Sequence, residues 1–476
     1  MPRKTKIVCT IGPASNSKRV IERLIKAGMN TARLNLSHGS YEEHAETIGT
    51  IRQVAGELGT EVAILLDMPG PKLRTGQMEE NGARLEEGDT FTFTSRKITG
   101  TRQRVSVDSP AFFRKISLGN SIFLNDGALQ LEVAAVKKTS VECKIIVGGL
   151  LTGNRGINIP GVTLTESPVN LKGREHMAFG IKHGVDFIAV SLVRSAEDIR
   201  EVKRLLEEGG GSIPVIAKIE KQEAVSGLDG IISESEGLMI ARGDLGVEIR
   251  LEKVPLVQKE IIRKCNLVGK PVIVATQMLE SMVGATRPTR AEVSDVANAI
   301  FDGTDAVMLS GETAIGKYPV QTVRVMSRIV TESEKVIPYD RMLLEKSEQV
   351  MALTDDAISY SACHISLRLK ACCIVAYTTS GSTALRVSKY RPRAPIIAIT
   401  PYINIARRLT LSWGIEPHLV TEPINADMVF EEAARIAFNT SLAKEGELVV
   451  ITAGIPTGVP GNTNVIKVHR VETAAD

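Results

Sequence analysis

PVIAKIE (214–220) and GLMIARGD (237–244) decide how this chain is read. Each is an apolar run that closes on charge, Lys218 and Glu220 in the first, Arg242 and Asp244 in the second. Each is followed by a segment of helical period. Runs apolar on both faces are interior strands of a parallel sheet covered by helices. Lys218 and Glu220 lie two apart, so their side chains leave the strand on one face. Charge seldom points into a barrel unless it is paired or at the rim. If the two strand ends share one mouth, a cation, two carboxylates and a guanidinium converge there, a site for a bound metal and an anionic, phosphorylated substrate.

Outward from this pair, six further runs match: TKIVCTIG (5–12), NTARLNLS (30–37), EVAILLD (61–67), DFIAVSL (186–192), PVIVATQ (271–277) and DAVMLSG (305–311). Amphipathic segments at 41–58, 195–208, 254–268, 291–301 and 319–336 alternate with them. Eight such units predict a closed (β/α)8 TIM barrel, with an open doubly wound sheet as the alternative. Between 70 and 166 the pattern changes to two-residue alternation with Asn/Asp-Gly turns, predicting an inserted antiparallel β-barrel domain that can act as a lid. The barrel then occupies 1–69 and 167–340. From 341 to 476 strands and helices alternate again, predicting a C-terminal α/β domain of mostly parallel strands, with helices at 350–369, 381–390, 402–412 and 425–440.

Composition excludes several functions. Of 476 residues 43% are hydrophobic and 24% charged, the net charge is only +3, and no basic stripe suggests nucleic acid. No apolar stretch suggests a membrane span, and the N-terminus runs into a strand rather than a signal core. Cys9, Cys143, Cys265, Cys363, Cys372 and Cys373 lack metal-ligand spacing, so they read as buried free thiols in a cytoplasmic protein.

The strand ends supply the chemistry. Arg33 and Asn35 share a strand face and Ser37 follows; a guanidinium there suits phosphate, or pairs with a helix carboxylate. Asp67 closes its strand, a stiff Pro69-Gly70-Pro71 turn follows, and Lys72 and Arg74 can both face an anion, although Lys72 also reads as a solvated lysine. Glu220 and Asp244 offer hard oxygens for Mg2+ or Mn2+, or belong to a structural ion-pair cluster. Lys218 neutralises a transferring phosphoryl group, or is the Schiff-base lysine of an aldolase. Thr276 positions a water or relays a proton, or caps a helix. Arg287 and Arg290 are anion or subunit-contact residues, Ser310 and Glu312 support the site from behind, and His38 is not catalytic. In TTSGST, Thr378, Thr379, Ser380, Ser382 and Thr383 precede a helix and form a phosphate cradle for an effector, which the loop 454–464 can close over.

The ordered series KTKIVCTIGPAS (4–15), ARLNLSHG (32–39), AKIE (217–220), ARGDLGVEI (241–249), GKPVIVATQMLESM (269–282), 287–319 and RPRAPIIAIT (391–400) resembles the pyruvate kinase family across effectively the whole chain. The resemblance implies phosphoryl transfer from phosphoenolpyruvate to ADP, a barrel with a lid and an effector domain, and a homotetramer. It implies that Glu220 and Asp244 hold the divalent ion, Lys218 and Arg33 face the phosphoryl group, and Thr276 arranges enolate protonation. The amides of Gly243 and Asp244 would receive the substrate carboxylate, and Arg74 and Arg155, with Asn35, would meet the nucleotide. The effector could be a sugar monophosphate, AMP or fructose bisphosphate. Ending soon after NVIKVHRV, the chain is expected to lack the phosphohistidine-type extension of some bacterial members.

One departure matters. Many members carry a glutamate where this chain has Lys72, and in potassium-activated ones it accompanies a monovalent cation held by residues resembling Asn35, Ser37 and Asp67. Lys72 brings its own charge, so potassium independence is expected. A metal-dependent lyase or aldolase and a non-enzymatic sensor are the rival readings.

Overall fold

The computed structural model describes residues 2–125, 127–162, 167, 169–456 and 461–471. Eight parallel strands close into one barrel: β1 (Lys6–Thr10), β2 (Thr31–Asn35) and β3 (Ala63–Met68) before the insertion. Strands β4 to β11 belong to the insertion, and β12 (Phe187–Val190), β13 (Val215–Ile219), β14 (Gly237–Ala241), β15 (Val272–Ala275) and β16 (Ala306–Leu309) complete the barrel after it. All eight are the runs predicted above. β16 pairs with β1 and β3 with β12, so the sheet has no edge and the open alternative is excluded.

Alternation explains why these runs are apolar on both faces. Val8, Leu65, Ala189, Ile216, Met239, Ile273 and Met308 fill the interior, while their neighbours Ile7, Ile64, Ile188, Val215, Ile240, Val274 and Val307 pack under the helices. Continuing the inward set by two residues reaches Thr10, Asp67, Ser191, Lys218 and Ser310. The polar mouth is therefore the next layer of the same barrel. The covering helices, among them Tyr41–Glu57, Ala196–Glu208, Val254–Val268, Arg290–Phe301 and Pro319–Lys335, lie within a residue or so of the expected segments. Capping boxes at Ser40–Glu43 and Thr289–Glu292 fix the starts of two of them.

The insertion forms a two-stranded ribbon of β4 (Ala83–Leu85) and β10 (Gly149–Leu151). Beside it lies a six-stranded sheet of β5 (Thr90–Thr94), β6 (Arg104–Ser106), β7 (Ser121–Leu124), β8 (Leu129–Lys137), β9 (Ser140–Val147) and β11 (Ile157–Asn158). Its ladders are antiparallel except β5·β6, which is parallel because the 95–103 connection crosses back before re-pairing. It has its own core, with Phe91, Phe93 and Phe112 fully buried. The expected domain limit at 166 falls within 163–166, outside the described residues.

The last region stacks β17 (Ile374–Tyr377), β18 (Ile396–Thr400), β19 (Ile415–Leu419), β20 (Leu448–Ala453) and β21 (Val465–Arg470) in the order β19-β18-β17-β20-β21, parallel but for β21. Its helices run Thr354–Leu369, Ser382–Lys389, Ile403–Leu409 and Ala426–Asn439. Leu411 from this region completes the barrel's interior core. No helix among the described residues is long and apolar enough to cross a membrane.

Candidate active site

The mouth is organised around Lys218. Its Nζ lies 2.8 Å from Glu220 Oε1 and 3.2 Å from Asp67 Oδ1, and donates to Ser191 Oγ at 2.6 Å. Arg33 donates from Nε to Asp67 at 2.7 Å and from Nη1 to Thr10 Oγ1 at 2.9 Å. Three strands, β2, β3 and β13, thus contribute to one cation–carboxylate chain, braced by hydroxyls from β1 and the end of β12, and all its charged members are nearly buried. Burial by itself drives the Lys218 pKa down, but Asp67 and Glu220 together outweigh it and the net shift is upward. The same balance holds Asp67 low: burial raises it, while Lys218 and Arg33 bring it below the ordinary carboxylate range. A lysine held this firmly protonated is a poor imine-forming nucleophile, which argues against the aldolase reading.

Glu220 differs from Asp67. Burial, its largest influence, and nearby Asp244 raise its pKa, against the pull of Lys218. Its Oε2 accepts the Leu192 N–H at 2.8 Å. Asp244, half-exposed, receives Lys72 Nζ at 2.9 Å. No group of three or more His, Cys, Asp and Glu among the described residues is arranged to hold a metal. Glu220 and Asp244 are two carboxylates that repel one another electrostatically. Two hard oxygen donors with room for water and substrate fit Mg2+ or Mn2+.

Thr276 and Gln277 follow β15 in left-handed backbone, φ 69° and 55°. A β-branched residue rarely adopts this, so the turn is held by its surroundings. Thr276 Oγ1 accepts the Gly243 N–H at 2.9 Å and donates to the Ala275 carbonyl at 2.7 Å. Arg242 donates to the Thr276 carbonyl at 2.9 Å and pairs with Asp295 at 2.7 Å. Two expectations change here. The Arg242 guanidinium braces the Thr276 turn, so it is not a free member of the mouth, and the Gly243 amide is engaged by Thr276. Glu312, fully buried, accepts the N–H groups of Leu279 and Ser310, in line with its supporting role.

Lys72 pairs with a carboxylate of the mouth. Asn35 Oδ1 accepts the Ser37 amide at 3.1 Å on the β2 side, whereas Lys72 reaches Asp244 beyond β14, the strand opposite β2 in the barrel.

Arg74, Lys97, Ser95, Asp108 and Asn154, with Lys72, line a cavity of about 710 Å³ in the insertion, and Arg74 donates to the Asn154 carbonyl at 3.1 Å. Arg155 turns to Thr152 Oγ1 at 2.5 Å, and neither it nor Asn35 lines this cavity. In the C-terminal region Thr378, Thr379, Ser380, Ser382 and Thr383 gather with Gly454, Gly461 and Asn462 around a cleft of only about 10 Å³. Thr378 accepts the Gly381 N–H at 2.8 Å, Thr383 bonds Thr463 at 2.7 Å, and Ser380 donates to Ser382 Oγ at 3.1 Å. Of the loop expected to close over it, 457–460 lie outside the described residues.

Sequence reading missed Thr10, Ser191 and the Leu192 amide. For the first two the signal was present, two residues beyond Val8 and Ala189 on the inward face. For Leu192 there was none, since any residue carries an amide.

Residues 2–323 match the family model described as pyruvate kinase, barrel domain, and 356–469 the one described as pyruvate kinase, alpha/beta domain. The chain is 48% identical to a pyruvate kinase of Geobacillus stearothermophilus over 99% of its own length and 81% of that protein's. It is 47% identical to one of Staphylococcus aureus (strain MRSA252), over 98% and 80%. A crystal structure of a pyruvate kinase from Cryptosporidium parvum superposes with a TM-score of 0.93 at 36% identity, covering 98% of this chain and 96% of that one. By barrel, mouth and kinship alike, the chain belongs to the pyruvate kinase family.

Proposed function

We propose that the mouth around Lys218 carries the phosphoryl transfer of this family, from phosphoenolpyruvate to ADP, giving pyruvate and ATP. The observation that carries this reading is the buried Lys218–Glu220–Asp67–Arg33 chain, whose lysine stays charged where a phosphoryl group would pass. Enolpyruvate leaves readily because it is trapped as the ketone, so the protein must align, screen charge and exclude water. Lys218 and Arg33 face the phosphoryl oxygens; Ser191 and Asp67 hold Lys218 in place. Glu220 and Asp244 would hold the divalent ion, which when bound screens substrate carboxylate and phosphoryl oxygens. The Asp244 amide would take the carboxylate, and the Gly243 amide would join once Thr276 releases it. Thr276 Oγ1, still donating to the Ala275 carbonyl, then has its acceptor side free to hold the water that delivers the proton converting enolate to ketone. Arg74 meets the nucleotide phosphates; Arg155 and Asn35 would have to turn toward them. A coupled assay for pyruvate, run with and without ADP and Mg2+, tests the reading. Pyruvate and inorganic phosphate formed from phosphoenolpyruvate without ADP would instead mean transfer to water, which defeats the kinase reading.

Lys72 supports potassium independence, by a route other than filling a cation site beside Asn35, Ser37 and Asp67: it offsets the Asp244 charge directly. Rates should hold when potassium is replaced by tetramethylammonium, and Lys72→Glu should create a requirement. The hydroxyl cradle at 378–383 suits a phosphorylated effector, provided its cleft opens, and the homotetramer belongs to the same reading. So do the division at 69, 166 and 340 and a cytoplasmic setting, which suits six free thiols.

A further inference from the structure

Leu192 adopts φ 59°, a left-handed conformation that bulky residues avoid. It stands just beyond β12, next to Ser191, so this short turn touches both halves of the central ion pair. Ser191 Oγ receives Lys218, and the Leu192 N–H donates to Glu220 Oε2 at 2.8 Å. Its side chain faces elsewhere. A Cβ on Gly70 would lie 2.8 Å from Leu192 Cδ1 and 2.9 Å from Cγ, and its three nearest atoms all belong to Leu192. Gly70 sits between Pro69 and Pro71, where the chain leaves the barrel for the insertion, and its φ needs no glycine. Close approach to Leu192 is therefore the reason for a residue without a side chain there. Leu192 also lines a space of about 320 Å³ together with Pro71, Lys72, Asn158 and Ile159 of the insertion and its hinge.

We infer that Leu192 is a positioning residue: its left-handed backbone aims its N–H at Glu220, and its side chain, resting on Gly70, ties that aim to the setting of the insertion's first hinge. If Leu192 turned to negative φ with the chain held on both sides, the Ser191–Leu192 peptide plane would have to rotate in compensation, the N–H would swing off the carboxylate, and Glu220 would lose the contact that orients one of its two oxygens. The inference rests on the reading of Glu220 as a divalent-cation ligand.

Backbone and packing roles give opposite rankings of variants. Asn and Gly accept left-handed φ but discard the apolar side chain; Val and Ile keep an apolar side chain but resist that φ. Mn2+ binding to the full chain without substrates, read from the EPR signal of the free ion, distinguishes them. Leu192→Asn and Leu192→Gly should bind within about twofold of wild type, whereas Leu192→Val and Leu192→Ile should weaken binding by about tenfold. Gly70→Ala should weaken it by about fivefold, and Gly70→Ala/Leu192→Gly should recover to the level of Leu192→Gly. The reverse ranking, or a double variant no better than Gly70→Ala, overturns the inference. Should the β-branched variants fail to fold, hydrogen exchange of the Leu192 amide decides. Loss of protection in Gly70→Ala supports the coupling, and unchanged protection refutes it. Glu220→Gln serves as the control. Mn2+ binding that survives it defeats the ligand reading and the inference with it, whereas binding lost there but indifferent to Leu192 defeats the inference alone.

Discussion

The two ends of the barrel both bury lysines, and they treat them in opposite ways. At the mouth Lys218 lies among carboxylates, and its pKa rises although it is largely buried. At the base Lys4 donates to the carbonyls of Pro392 and Arg393 at 2.8 and 2.6 Å and lies over the rings of Trp413 and Tyr339, 4.8 and 5.1 Å from their centroids. Burial outweighs the opposing pull of Glu334 and brings it down to about 7. Lys6 and Lys346 at the same junction fall to about 8 and about 7, again chiefly through burial. Desolvation is common to all four, so what differs is the counter-charge. Carbonyl dipoles and ring faces dock one domain on another, whereas surplus carboxylate keeps a cation ready for an incoming anion.

The sharpest test of the base is Arg391, which pairs with Asp305 at 2.9 Å while donating to Asn266 at 2.6 Å. Arg391→Met leaves Asp305 buried without its partner and should cost about 3–5 kcal/mol of stability, seen in denaturant unfolding. Activity measured well below the melting range should change by less than about twofold if the base only docks domains. At the mouth the pattern should invert. Lys218→Met should lower kcat by about 10²–10³, or ~3–4 kcal/mol of barrier, with the fold intact by circular dichroism. A variant that unfolds but turns over normally when folded would erase the distinction.

A smaller effect concerns pH. Unfolded, Lys4 keeps its ordinary 10.5; folded, it titrates near 7. Between these values the unfolded chain binds more protons, so this residue's contribution to stability grows as pH rises from about 7 toward 10.5 and is lost as pH falls through 7. Relative to Lys4→Met, wild type should gain about 3 kcal/mol between pH 7 and 10, by calorimetry. Parallel curves would show that Lys4 does not titrate there. The smallest effect belongs to the exposed rim: Arg74→Ala should raise KM for ADP by about three- to tenfold with kcat nearly unchanged, and a drop in kcat alone would remove Arg74 from the nucleotide side.

What could be read in advance followed periodicity. Strands such as VIVA at 272–275 show the same pattern whether or not their neighbours are known, because both faces of a barrel strand must be apolar. Lys218, Glu220, Asp67 and Arg33 could be found because charge at the end of such a strand is costly unless used. The partners of Lys72, Arg242 and Arg155 could not be read in advance, because long side chains on turns have several partners within reach and only the folded chain chooses between them. The engagement of the Gly243 amide escaped notice for a related reason: it depends on the left-handed Thr276, and positive φ leaves no mark in a β-branched residue's identity.

Local chemistry alone therefore determined the closed cylinder, the intruding β-rich region, the third αβ layer and the charged ring at one rim, since each follows from spacing along the backbone. Tertiary structure decided which cation meets which carboxylate, which amide remains available, and why one buried lysine is held charged while another is pushed toward neutrality. Those outcomes depend on distances between residues far apart in the chain, and electrostatic energy in a low-dielectric interior changes steeply over a few ångströms.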